Sequence, residues 1–157
     1  MLETNHILIA ERDELLRQLT RIILSSAGIH RVTEAISYDD VWAVLRTSDI
    51  DLLIMEYIID GESALDHVRQ IRDGHAGRNR NVPIIILTDP DDEDWHDAWV
   101  VKRATRAGAT ACVPQPISIK TLVPAVLDGL SRHAAETGSG AHIVAPTGFA
   151  SGSSSLD

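Results

Sequence analysis

Apolar positions along this chain follow two rhythms, short β-branched runs and longer segments of helical spacing, which alternate five times. That alternation predicts parallel strands covered by helices. The first strand is HILIA, His6 to Ala10. A helix from about Glu14 to Ala27 follows, with Leu15, Leu16, Leu19, Ile22 and Ile23 as its apolar stripe and Gly28 as its stop. A second strand, Arg31 to Ala35, leads to a helix over Tyr38 to Arg46, capped by Ser37 and facing Val41, Val44 and Leu45 inward. The third strand, Asp51 to Met55, is apolar after its first residue, as a central strand should be, and Glu56 stands at its end. After the loop YIIDGE, a helix from about Ser63 to Arg72 presents Leu65, Val68 and Ile71, and DGHAGRNRN reads as a polar loop. The fourth strand is Val82 to Leu87, with Thr88 where it ends. The acidic stretch DPDDED then opens a long helix that reaches about Ala107 before Gly108. The fifth strand, Ala111 to Pro114, precedes Ser118, which can cap a last helix with Ile119, Leu122, Val123, Val126, Leu127 and Leu130 inward. Pro124 should bend that helix without breaking it. From Ala134 the chain turns to Gly, Ser, Thr and Ala, so one domain over 1–133 and a flexible Gly/Ser-rich tail over 134–157 are expected.

The 157 residues suit one domain with a short appendage. With 44% hydrophobic and 24% charged residues, and no apolar run near the roughly 18 residues of a membrane span, a soluble protein without a membrane segment is expected. No basic region precedes the first apolar run, which argues for the cytoplasm over secretion. One cysteine, Cys112, rules out an internal disulfide or a cysteine zinc site and reads as a small buried hydrophobe. The net charge of −9 opposes binding to nucleic acid or to an anionic membrane and points to protein partners.

In an open parallel sheet, ligands bind outside the carboxyl ends of the strands where the strand order reverses. Collected there are Glu11, Arg12 and Asp13 after the first strand, Glu56 after the third, Thr88 after the fourth and Gln115 after the fifth. On these residues, in this order along a five-fold βα pattern, the chain from about His6 to His133 resembles the receiver domain of two-component response regulators. The resemblance implies an α/β, doubly wound five-stranded parallel sheet of flavodoxin-like order 2-1-3-4-5 with helices on both faces. It also implies places for an acidic pair that holds Mg²⁺, an acceptor aspartate, a Ser or Thr, and a Lys-Pro. Here those places read Glu11-Arg12, Glu56, Thr88 and Gln115-Pro116, and the place of the family's switch aromatic reads Cys112.

These departures argue against a phosphoryl cycle. A guanidinium about 5 Å from Mg²⁺ would repel it by roughly 6–7 kcal/mol at an effective dielectric near 20, so no metal and no cofactor are expected. The extra methylene of Glu56 moves its carboxylate about 1.5 Å off line, which can lower a rate on the order of 100-fold. Without metal or lysine, charge on the transferring oxygens goes unstabilised. The chain is therefore expected to be no enzyme. Three roles stay open for Glu56: partial imitation of a phosphorylated aspartate, an ion pair with Arg12 that locks the pocket, or residual phosphoryl chemistry. Cys112 is too small to relay a rotation of Thr88.

Outside the pocket, the acids between Thr88 and Gly108 suit a helix N-terminus, but with Trp95 and Trp99 they also form a candidate interaction surface of Trp95, Trp99, Asp92 and Asp94. The seven histidines show no metal-ligand spacing. The reading is a stand-alone, phosphorylation-independent interaction module in bacterial signalling whose partner is a histidine kinase, another regulator or its own copy, so a homodimer is possible. The alternatives are a weakly phosphorylated regulator that uses another acid, such as Asp13 or Asp60, and a flavin carrier of like topology. ERDELL lacks the Ser/Thr- and Gly-rich loop that a flavin phosphate needs.

Overall fold

The computed structural model describes residues 2–89 and 97–138. Five parallel strands form the sheet: β1 His6–Ala10, β2 Arg31–Ala35, β3 Leu52–Glu56, β4 Ile84–Thr88 and β5 Ala111–Pro114. Their order is β2-β1-β3-β4-β5, as expected. Alternation along each strand splits the core in two. Ile7, Ile9, Leu52, Ile54, Ile85 and Leu87 pack under α1 (Glu14–Ser26) and α5 (Ile119–Thr137). Leu8, Ala10, Leu53, Met55, Ile84 and Ile86 pack under α2 (Tyr38–Thr47), α3 (Ala64–Gln70) and α4 (Asp97–Ala107). Strands buried on both faces read as continuous apolar runs, which is why they were easy to find.

The helix ends follow local chemistry. Asp13, Ser37, Ser63 and Ser118 cap α1, α2, α3 and α5, each accepting a backbone N–H in the first turn. Pro124 sits inside a continuous α5, where its missing N–H removes the i+4 donor of the Lys120 carbonyl. The helix continues to Thr137, four residues past the boundary expected at His133, and Gly138 ends it with φ +85°. The remaining tail lies outside the described residues.

Two apolar stripes differ from expectation. On α1 the buried residues are Thr20, Ile23 and Leu24, while Leu15, Leu19 and Ile22 are exposed. On α5, Ile119 and Leu127 are exposed, and Gly129 takes an inward place because a Cβ there would lie 2.8 Å from Leu52 Cδ1. Helices with apolar residues on two faces give two readings by periodicity alone, and the sheet chooses between them. The loops YIIDGE and DGHAGRNRN hold local structure of their own. In YIIDGE, Ile58–Ile59 and Glu62–Ser63 pair antiparallel around Asp60 (φ +53°) and Gly61 (φ +76°), the two positive dihedrals of a type I′ hairpin. DGHAGRNRN holds a π-helical turn and a 3₁₀ turn, and Asn79 within it is buried.

Gly108 closes α4 at φ +117°, and a Cβ there would lie 2.6 Å from Arg72 Cγ. Arg72 cannot step aside freely because its Nε donates to the Gly108 carbonyl, 3.0 Å away. Gly108→Ala combines backbone strain with that clash and is expected to cost about 1–3 kcal/mol. Urea unfolding measures it, and an unchanged midpoint would contradict this account.

Candidate functional site

Strand register assembles the site. Ala10 pairs with Met55, Glu56 with Leu87 and Thr88 with Pro114, so Glu11, Glu56, Thr88 and Gln115 end at one level on the carboxyl edge of the sheet. The loop after β1 is held from α1: Arg17 Nη1 donates to the carbonyls of Glu11 (3.0 Å) and Arg12 (2.8 Å), and its Nε reaches Glu34 Oε1 on β2 at 2.9 Å. Arg17 was not read from the sequence as part of the site. Its only signal is a lone cation one turn inside a helix.

Glu11 is 1% exposed. Its Oε2 accepts the Asp13 N–H at 3.1 Å, while its Oε1 is buried and finds no donor in the ordinary ionised arrangement. Glu56 comes up against that carboxyl. Desolvation, then a hydrogen bond with Glu11, then the charges of Glu11, Asp13 and Asp89 push Glu56 up to about 8. Held up to about 8, Glu56 keeps its proton at neutral pH and supplies the donor that Glu11 Oε1 lacks.

Arg12 does not join them. It pairs with Asp60 on the hairpin, in place of the Arg12–Glu56 pair that was one of the three expectations. The hairpin is fixed from its other side as well. His67 Nε2 lies 3.0 Å from Glu62 Oε1, Trp42 Nε1 donates to His67 Nδ1 at 2.9 Å, and Tyr38 stacks on the imidazole at 3.9 Å while its hydroxyl donates to the Glu62 carbonyl. The Asp-Gly pair in IIDGES was the sequence signal for this hairpin. Nothing in the sequence signalled the side-chain contacts.

Thr88 is buried, and its hydroxyl donates to the Val113 carbonyl at 3.5 Å. Cys112 is partly buried beside the core under α2–α4, and burial pushes its thiol up to about 11. Gln115 accepts no role from a lysine's charge: its backbone N–H donates to the Thr88 carbonyl at 2.7 Å, and its Nε2 is buried without a partner among the described residues. The site does not fit the Mg²⁺ that the resemblance implies. Asp13 is engaged in capping α1, the place of the second acid is taken by Arg12, which pairs with Asp60, and among the described residues no three His, Cys, Asp or Glu side chains gather as ligands.

Of the candidate interaction surface, Trp99 lies on α4, half exposed, with the Arg103 guanidinium 4.6 Å over its ring. Trp95, Asp92 and Asp94 lie outside the described residues. No described helix is long and apolar enough to cross a membrane.

Residues 7–127 match the family described as the response regulator receiver domain. The chain is 30% identical over 126 residues to the transcriptional regulatory protein PdtaR of Mycobacterium tuberculosis, covering 80% of this chain and 57% of that protein. It is 25% identical over 117 residues to the phosphate regulon transcriptional regulatory protein PhoB of Escherichia coli, covering 74% and 48%. It thus spans about half the length of these relatives. A putative response regulator from Chloroflexus aurantiacus shares the fold at a TM-score of 0.70 with 21% identity, over 81% of this chain and 98% of that one. The receiver domain of the sensor histidine kinase PA1611 from Pseudomonas aeruginosa, solved with a magnesium ion coordinated in its active-site cleft, does so at 0.67 with 20% identity, over 81% and 98%. The chain belongs to the response regulator receiver domain family of two-component signalling.

Proposed function

We propose that this receiver works as a phosphorylation-independent protein-interaction module, its acceptor pocket converted into a fixed structural unit. The observation that carries the reading is the fate of the pocket's charges. Glu56 shares a proton with Glu11, and Arg12 is spent on Asp60. A protonated carboxyl is a poor nucleophile, and the positive charges that would stabilise a transferring phosphoryl group are turned away or replaced by an amide. Imitation of a phosphorylated aspartate also loses support, because a neutral Glu56 brings none of the roughly 1.5–2 negative charges of a phosphate. Partners are proteins of the signalling system, a histidine kinase, another regulator or a second copy, and the exposed Trp99 on α4 is a natural contact.

Incubation with a small phosphodonor and Mg²⁺ tests the reading by intact mass. No adduct is expected under conditions that phosphorylate an ordinary receiver. An adduct that disappears in Glu56→Gln would overturn it, and one that disappears only in Asp13→Asn or Asp60→Asn would favour the weakly phosphorylated alternative.

A further inference from the structure

At the amino-terminal ends of β4 and β5, on the opposite edge of the sheet from Glu56, lies a cleft of about 340 Å³ between the ends of α3, α4 and α5. Its volume is at the lower end of the roughly 300–1,000 Å³ of small-molecule sites. Two guanidiniums line it, Arg72 and Arg132, against one carboxylate, Glu136. Asp128 pairs with Arg132 and Asp51 lies 3.6 Å from His133 Nε2, so Arg72 is the guanidinium of the lining that no carboxylate pairs among the described residues.

The arginines are placed in an unusual way. Arg72 Nε donates to the Gly108 carbonyl at 3.0 Å and its Nη1 to the Arg80 carbonyl at 2.8 Å, while Arg80 Nε donates back to the Arg72 carbonyl at 2.8 Å. Neither guanidinium forms an ion pair with a carboxylate among the described residues. Carbonyls therefore hold the Arg72 fork without neutralising it, and Arg80 braces it from beside the cleft. Burial acts against the charge of Arg72, with Glu136 opposing it, as expected of a cation short of a counter-charge. Arg132 pairs through Nε with Asp128 on the surface of α5, which leaves both of its terminal nitrogens. Thr110 Oγ1 accepts the Ile84 N–H at 3.0 Å and so keeps its own hydrogen to donate, and Asn81 adds a side-chain amide to the lining.

We propose that this cleft binds a small phosphate-bearing molecule. Guanidinium forks match phosphate oxygens, and a hydroxyl and an amide add neutral donors. Glu136 offers an acceptor for an N–H or O–H on the organic part of the ligand. Such a site gives the domain an input that bypasses Glu56, because Arg72 ties the cleft to the end of α4, the helix that carries Trp99.

Titration of the full chain with inorganic phosphate and with adenosine monophosphate, followed residue by residue by amide NMR at low ionic strength, tests the proposal. Saturable shifts are expected around 72, 80–81, 108–110 and 132–136, with adenosine monophosphate binding at least as tightly as phosphate. Arg132 is exposed, so Arg132→Gln leaves the fold intact and should weaken binding about tenfold. Glu136→Gln should tighten binding to phosphate. Arg103→Gln, which removes the same charge from the outer side of α4, should change nothing. Shifts that do not saturate, acetate binding as tightly as phosphate, or equal weakening by Arg103→Gln would each overturn the proposal.

Discussion

At pH 9, Glu56→Gln is expected to be more stable than the parent chain by about 1–2 kcal/mol, and at pH 5 the two should differ little. The cause is the proton shared with Glu11. A carboxyl held up to about 8 in the folded state, against 4.5 as its ordinary value, binds its proton more tightly when folded. Its stabilising effect is complete below about pH 4.5 and is lost as the pH rises through 8. The full shift would amount to more, but Glu56 is only half buried and solvent screens the repulsion, so the figure is discounted accordingly. Above pH 8 the parent sets two carboxylates against each other at the end of the sheet. Glutamine keeps a donor for the buried Glu11 Oε1 at every pH. Glu34, held down by its hydrogen bonds from Arg21 and Arg17, and His6, held down by burial, titrate alike in both proteins and cancel in the difference. Urea unfolding of both proteins from pH 5 to 9 gives that difference directly. A flat difference would mean that Glu56 is ionised throughout, and the case for a proton-sharing pair would fall with it.

The central strands were legible because a doubly covered sheet demands continuous apolar runs, as in the fully buried His6–Ala10, while the edge strands Arg31–Ala35 and Ala111–Pro114, only partly buried, are placed by the alternation with helices. The level of the site residues followed from those strand ends. What the sequence hid was which charge meets which. Arg12 and Glu56 are placed near each other by topology, yet the hairpin of residues 58–63 brings Asp60 to Arg12 and leaves Glu56 to Glu11. That outcome turns on a two-residue turn, not on a periodic pattern. The exposed Leu15, Leu19 and Ile22 show the same limit. Periodicity reports an apolar face, and only packing reports which of two faces is covered.

Asn79→Ala is expected to cost about 3–5 kcal/mol, the largest single loss proposed for this chain. Asn79 looks like an ordinary loop residue in GRNRN, but it is 4% exposed and works as a remote cap for α2. Its Nδ2 donates to the Leu45 carbonyl at 2.6 Å and the Ser48 carbonyl at 2.7 Å, while its Oδ1 accepts the Ile50 N–H at 3.0 Å. The last carbonyls of a helix have no partner within it, and these lie where water does not reach freely. Alanine would orphan three backbone groups at once, each worth about 1–3 kcal/mol when buried and unpaired, with partial relief where water enters. Asn79→Asp separates the polar contacts from the volume of the side chain: it keeps an acceptor for Ile50 but turns a charged oxygen toward the two carbonyls, so it should be no better than alanine. For a domain of this size each kcal/mol lowers the melting temperature by about 2–4 °C, so a fall of roughly 6–20 °C is anticipated. A fall of under 3 °C for alanine, or an aspartate variant as stable as the parent, would show that the α2 terminus is satisfied without Asn79.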